Sequence, residues 1–227
     1  MEHKLPLAVI IMGPPGSGKG TQSSRLSASM NIPKISTGDI LRQVSLGEGP
    51  KSEYIRSVIA TGGLVSDNIL ADLIVSRLSD LDCKDGFILD GYPRNIQQAT
   101  FLGELLLDRN YKLLVIEVIV PDDTLIKRVK GRYLCKNCGT IYNKYFAKPQ
   151  KDGICDKCGS SEFTYRSDDN ELVIKERLKE YNTQTIPVLD YYRQRNLLVS
   201  INGEKTSDEV HEDILRQIAR ALVNDCN

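Results

Sequence analysis

Apolar residues run unbroken from Leu7 to Met12 and stop at Gly13. A run without polar alternation predicts a strand covered on both faces, as in parallel sheets. GKGTQSSRLSASM then reads as a helix, PKIS as a short strand, and TGDILRQV as a helix with Ser36, Thr37 and Asp39 at its start. SEYIRSVIATGG follows as a helix closed by glycines, and Asp67 is placed to cap the helix NILADLIVSRLSD. Next come the strand GFILD, the helix NIQQATFLGELLLDRN and the strand KLLVIEVIV. A helix follows in PDDTLIKRVKGR, where proline and acidic residues mark an N-terminus. Beyond residue 166, DDNELVIKERLKEY and TIPVLDYYRQR read as helices with a break or kink at Pro187. LLVSIN reads as a strand and SDEVHEDILRQIARALV as a closing amphipathic helix. Strands alternating with helices predict a parallel sheet with helices on both faces, an α/β fold.

Composition narrows the class. The chain has 227 residues, 41% hydrophobic and 26% charged, enough for a sizeable core in a globular protein. Lysine plus arginine number 30, as do aspartate plus glutamate. A zero balance speaks against a broad nucleic-acid or membrane surface, because such partners select a positive excess. The N-terminal apolar run is too short to span a bilayer and lacks a small-residue cleavage site. A cytoplasmic setting with reduced cysteines is expected.

GPPGSGKG ends the first strand and opens the first helix, fitting G-x-x-x-x-G-K through Gly13, Gly18 and Lys19. Glycines let the backbone curl its N–H groups onto phosphate oxygens, the helix N-terminus adds its dipole, and the lysine reaches the outer phosphates. The motif expects Ser or Thr next, to touch magnesium, but Gly20 stands there and Thr21 follows. Further along, FILDGYPRN places Asp90 at the C-terminal end of a strand, the ligand side of open α/β sheets. A carboxylate there suits magnesium held beside a nucleotide.

Residues 135 to 158 hold two matching turns, Cys135 with Cys138 and Cys155 with Cys158, each C-x-x-C-G, with sixteen residues between the pairs. That spacing matches four thiolates around one tetrahedral zinc ion. A pair of disulfides, an iron–sulfur cluster or plain buried thiols are the alternatives, and spacing does not separate zinc from another thiophilic ion. Four protein thiolates leave no open coordination position, so such a zinc would be structural. Cys83 reads as a small buried residue and Cys226 as a tail thiol.

GPPGSGKGT, STGDILR, DGYPRN and YRSDD…KERL, in this order, resemble the adenylate kinases, and the resemblance runs from Leu7 into the last helix. It implies transfer of a phosphoryl group between ATP and AMP to give two ADP. It also implies a doubly wound P-loop core over 1–35, 66–131 and 167–227, a helical AMP-binding insertion over 36–65 and a zinc-ribbon lid over 132–166. By motif, Gly13, Pro14, Pro15, Gly16, Ser17, Gly18, Lys19, Gly20 and Thr21 would hold the ATP phosphates, and Arg128 would pack on the ATP adenine. Thr37 and Gln98 would contact the AMP adenine, helped by Gly38, Val65 and Gly91, while Arg42 and Arg94 would hold the AMP phosphate. Arg132, Arg166 and Arg177 would converge on the transferred group, and Asp90 would orient magnesium through water. A monomer is expected, since both insertions need room to move.

The chemistry agrees. The attacking AMP phosphate oxygen, with a second pKa near ~6, is already ionised at neutral pH, so no general base is needed. What the reaction does need is fixed positive charge, and arginine supplies it in a fork that fits phosphate oxygens. His3 and His211, the only histidines, read as solvated surface residues. Arg25, Arg77, Arg109 and Arg220 read as solvated too, Arg193 and Arg195 stay unassigned, and Tyr92, Tyr181, Tyr191 and Tyr192 read as core or rim packing.

Two rivals remain at this level. One is a monophosphate kinase acting on UMP, CMP or GMP, against which Thr37 and Gln98 favour adenine. The other is a nucleic-acid- or protein-binding zinc ribbon joined to a P-loop ATPase, using Lys136, Tyr142, Lys144, Tyr145, Phe146, Lys148 and Lys151. Balanced charge and the flanking Arg132 and Arg166 weigh against it.

Overall fold

Side chains alternate along β1 (Leu7–Met12) and divide the protein between two cores. Ala8, Ile10 and Met12 join one cluster, and Leu7, Val9 and Ile11 join the other. All six residues are buried, which is why the run carries no polar alternation. The computed structural model describes residues 5–166 and 168–223; His3 and Cys226 lie outside them.

In chain order β1 is followed by α1 (Lys19–Met30), β2 (Lys34–Ser36), α2 (Thr37–Ser45), α3 (Pro50–Thr61) and α4 (Asp67–Leu78). Then come β3 (Gly86–Asp90), α5 (Ile96–Asp108), β4 (Lys112–Ile119) and α6 (Asp122–Lys130). Three short strands follow, β5 (Arg132–Cys135), β6 (Ile141–Asn143) and β7 (Phe163–Thr164). The chain closes through α7 (Glu171–Glu180), α8 (Ile186–Arg193), β8 (Leu198–Asn202) and α9 (Ser207–Val223).

The described residues form a five-stranded sheet in the order β2-β3-β1-β4-β8, every pairing parallel. Helices α1, α6 and α9 cover one face and α4, α5 and α8 the other, so the expected doubly wound α/β core is present. The order reverses at β1, whose C-terminal end opens into the phosphate loop, the position where such sheets bind ligands.

Local signals explain most boundaries. Ser36 caps α2 by accepting from the Asp39 N–H, and Asn95 caps α5 by accepting from the Gln98 N–H. Pro50 opens α3, and Gly62, at φ 81°, closes it in the left-handed region. Asp67 departs from expectation. It sits inside the first turn of α4 without capping it, and its carboxylate instead accepts from the Asn95 and Gln98 amides at 3.0 and 2.6 Å. Pro187 has no N–H to continue the helix before it, and a π-turn, Tyr181–Thr185, separates α7 from α8 there.

The surface reading of His211 is also overturned. It is only 8% exposed and its Nε2 lies 3.0 Å from the Ser29 hydroxyl, because α9 packs its apolar stripe against α1. Burial, then the nearby Arg25 charge, lowers its pKa. Arg25, Arg77 and Arg109 are not free in solvent either. Arg25 pairs with Asp208, Arg77 with Asp80 and Asp82, and Arg109 donates to the Leu78 carbonyl at 2.8 Å. Arg220 is exposed as expected. Arg195 stacks on Tyr191 at 3.6 Å, and Arg193 pairs with Asp190 and Glu117. Cys83, Tyr92 and Tyr192 are buried, and Tyr181 and Tyr191 pack at the core's edge.

Candidate active site

A cleft of about 510 Å³ opens at the C-terminal ends of β1, β2 and β3. Its floor is the loop Pro15 to Gly18 and the first turn of α1, and Lys19, Gly20 and Thr21 line it. One wall comes from α2 and the start of α4, with Thr37, Gly38, Arg42 and Val65; the other comes from α6 and the cysteine segment, with Arg128 and Arg132. Asp90, Gly91, Arg94, Arg166 and Arg177 close it from the remaining sides. Three of the expected site residues do not line it: Gly13 and Pro14 at the root of the loop, and Gln98.

Gln98 is only 2% exposed. Its amide nitrogen donates to Asp67 and its oxygen accepts from the Arg94 N–H at 2.7 Å, so the amide lies behind the wall that Arg94 and Val65 form. Thr37 donates to the Gly91 carbonyl at 2.9 Å, tying the start of α2 to the end of β3. Thr185, in the π-turn, donates to the Arg94 carbonyl at 3.0 Å, which sets the base of that side chain.

The cleft concentrates positive charge. Lys19 is held at the loop by the Pro14 carbonyl at 3.2 Å. Burial, partly offset by Asp90 and deepened by Arg177, Arg94 and Arg132, pulls its pKa down to about 7. Arg177 and Arg166 are each pulled down to about 10 by burial first and by neighbouring guanidinium groups next, so both stay charged at neutral pH. Burial also lowers Arg94 and Arg128. At Arg132 burial works against the charge, but the hydrogen bonds and charge of Asp169 outweigh it and the pKa rises.

Carboxylates that sequence reasoning left unassigned hold these arginines in place. Asp168 accepts from Arg177 at 2.8 Å and lies 3.6 Å from Arg42. Asp169 accepts from Arg132 Nε at 2.7 Å. Both stand in the YRSDD stretch, where a signal was present: two acidic residues two and three positions after an arginine, in a segment otherwise short of apolar residues. Asp39 pairs with Arg42 at 2.6 Å and with Arg166 at 3.5 Å. Two further residues line the site: Phe146, which the sequence reading gave only to the rival nucleic-acid-binding ribbon, and Lys34, which it left unassigned. Phe146 lines the cleft with its ring 5.8 Å from the Arg128 guanidinium, and Lys34 lies beside Asp90.

Asp90, expected from the sequence to orient magnesium, stands at the end of β3 facing the cleft. Its carboxylate lines the cleft, and a Cβ built on Gly20 would lie 3.2 Å from its Oδ2. Glycine at this position therefore leaves open the space that a hydroxyl side chain would fill.

The four cysteines lie apart from the cleft lining, at the tip of the module formed by β5, β6 and β7. Each pair closes the same turn: the Gly139 N–H bonds the Cys135 carbonyl at 2.9 Å, and the Gly159 N–H bonds the Cys155 carbonyl at 2.8 Å. Both glycines sit near φ 70°, the left-handed conformation this turn requires. The four sulfurs lie within 4.8 Å of one another, and two pairs stand at 3.5 Å. Thiolates around a tetrahedral zinc would stand ~3.8 Å apart, so the cluster is compatible with a structural zinc. Tyr142 packs against Tyr133 and Phe163 and donates to Cys155 at 3.4 Å, supplying a small aromatic base. Among the described residues, no helix is long and apolar enough to cross a membrane.

Comparison with known proteins agrees with the motifs. The adenylate kinase family model matches residues 11–197. An adenylate kinase of Methanocella arvoryzae is 47% identical over 212 residues, covering 93% of this chain and 98% of that protein. Those of Rickettsia africae and Rickettsia conorii are 44% and 43% identical over 208 residues, covering 92% of this chain and 97% of each relative.

Proposed function

The chain belongs to the adenylate kinase family and catalyses ATP + AMP = 2 ADP; on that premise we propose how its residues divide the work. The observation that carries the assignment is the convergence of Lys19, Arg94, Arg132, Arg166 and Arg177 on one cleft, with no histidine among its lining residues. Positive charge without a base suits transfer to an acceptor that is already ionised.

ATP lies on the loop Gly13 to Thr21, where backbone N–H groups and Lys19 take its phosphates and Arg128 meets its base. AMP lies against α2 and the start of α4, with Arg42 and Arg94 on its phosphate. Thr37, Gly38, Val65, Gly91 and the amide of Gln98 are set around its adenine. The two nucleotides then face each other across Arg132, Arg166 and Arg177, whose charges offset that of the migrating phosphoryl group. A guanidinium held by Asp168 or Asp169 needs no reorganisation when charge develops, which is where such groups lower a barrier. Magnesium, when bound with ATP, would bridge phosphate oxygens and offset their charge, with Asp90 orienting its water.

Residues 36–65 act as the AMP-binding insertion and 132–166 as a lid, hinged on the core 1–35, 66–131 and 167–227. A structural zinc on Cys135, Cys138, Cys155 and Cys158 keeps the lid rigid, so that it swings as one body, carries Arg132 and Arg166 and sheds water. The supporting observation is that the module's own core is only a few aromatic rings and the cysteines. Thiolates at a metal imply a reducing compartment, in keeping with a cytoplasmic monomer.

The test is ADP formation from ATP and magnesium with AMP, UMP, CMP or GMP offered as acceptor. Strong AMP preference is expected. Equal use of another acceptor would overturn the roles given to Thr37 and Gln98 while leaving the phosphate sites standing.

A further inference from the structure

Lys34 opens β2 and reaches across into the first turn of α1. Its ammonium donates to the Gly20 carbonyl at 3.1 Å and the Ser24 hydroxyl at 3.2 Å, and lies 3.5 Å from Asp90 Oδ2. Both charged side chains are largely shielded, 17% and 9% exposed. Two neutral acceptors and one carboxylate thus fix a cation at one spot, and that spot lines the cleft. A Cβ built on Gly20 would lie 3.9 Å from the ammonium as well as 3.2 Å from Asp90. Where the phosphate-loop motif would present a metal-touching hydroxyl, this protein presents a fixed positive charge.

We propose that Lys34 is the resident counter-ion of Asp90 and sets how strongly the site favours magnesium–ATP over free ATP. With no metal present, Lys34 is the ion-pair partner of this shielded carboxylate, whose charge Lys19 and Arg94 also feel. With metal present, the same ammonium repels a divalent ion whose water shell must share that carboxylate. Lys34 therefore narrows the gap between the two forms of the nucleotide. The inference rests on the reading that Asp90 faces the metal.

Linkage makes this measurable without turnover, because the ratio of ATP affinities with and without magnesium equals the magnesium affinity gained on binding the enzyme. Isothermal titration of the full chain with ATP, once in excess magnesium and once in EDTA, gives that ratio. Repulsion between single and double charges several ångströms apart in a wet cleft predicts that Lys34→Gln raises the magnesium preference by about 10-fold. Lys34→Arg, which keeps the charge, should stay within about 2-fold of the parent on the same reasoning. Asp90→Asn should lower the preference.

An unchanged ratio in Lys34→Gln, with Asp90→Asn still lowering it, would overturn the role of Lys34 alone. Equal weakening of both forms in Lys34→Gln would also overturn it, by showing that the ammonium holds phosphate. An unchanged ratio in Asp90→Asn would remove the reading of Asp90 and this inference together.

Discussion

Arg166, just past the cysteine module, reaches Asp39 in the first turn of α2 at 3.5 Å. The contact ties the chain just past the cysteine module to α2 across the cleft. Asp39 is half exposed, so solvent and salt screen the pair and it contributes about 0.2–1 kcal/mol. Asp39→Asn should therefore shift these two segments toward separation by about 1.4–5-fold, and moderate salt should do the same to the parent. Dyes placed on α3 and on the cysteine module would report the change by energy transfer. No change in either condition would mean that the contact does not hold the cleft closed.

Lys19 shows where function is built against stability. Its pKa is about 7 in the folded chain against an ordinary 10.5, lowered by burial and by neighbouring arginines despite Asp90. The unfolded chain therefore binds the extra proton between these values, so this group's cost is full below pH 7 and falls away as pH rises toward 10.5. Lys19→Met should raise the melting temperature by about 3 °C or more at pH 6–7 and by little near pH 10, while cutting turnover at least ~100-fold. ATP phosphates would restore the charge, so ATP binding at pH 8 should take up a proton. Calorimetry in buffers of different ionisation enthalpy would show it.

The buried amide of Gln98 has its polarity fixed at both ends. Asp67 can only accept and the Arg94 N–H can only donate, so nitrogen and oxygen cannot exchange places. With Asp67→Asn only the Arg94 N–H still fixes the amide, so its hold on a single orientation weakens. Since adenine and guanine present opposite donor and acceptor patterns, discrimination against GMP should fall. A loss of about 10-fold in the AMP-to-GMP ratio of kcat/KM is expected, the worth of one misplaced hydrogen bond. An unchanged ratio would show that Gln98 does not read the base.

Hydrophobic patterning made the core legible because each strand of the parallel sheet must be covered on both faces. Leu7–Met12 is therefore apolar throughout, and Gly86–Asp90 is apolar until Asp90 at its C-terminal end. Caps at Ser36 and Asn95 and the turn glycines of the cysteine pairs were equally local signals. What stayed hidden depends on approach in space. Asp67 looked like a cap because its place in sequence suits one, yet its partners Asn95 and Gln98 lie 28 and 31 residues away. His211 looked solvated because it lies near the end of the chain, and only the docking of α9 on α1 buries it. Lys34 carried no motif at all, and its significance appears only once Gly20 and Asp90 are seen beside it.

The cysteine module gives the sharpest separation of stability from chemistry. Its four sulfurs lie off the cleft lining, while Arg132 and Arg166, at the two ends of the module, line it. Beyond Tyr133, Tyr142 and Phe163 the segment has little apolar surface to hold it, and Phe146 and Tyr145 are exposed. On the proposal that the four cysteines hold a structural zinc, ligation would supply most of its folding free energy, on the order of 10 kcal/mol in small metal-folded units. Cys155→Ser removes one thiolate from the set and also the acceptor of the Tyr142 hydroxyl. The variant should lose bound metal and melt well below the parent. Its initial rate at low temperature, where the module still folds, should drop far less. Metal content by elemental analysis, melting by calorimetry and initial rates from 10 to 40 °C would decide it. A variant that melts like the parent yet has lost all activity would place the cysteines in the chemistry and overturn the structural role.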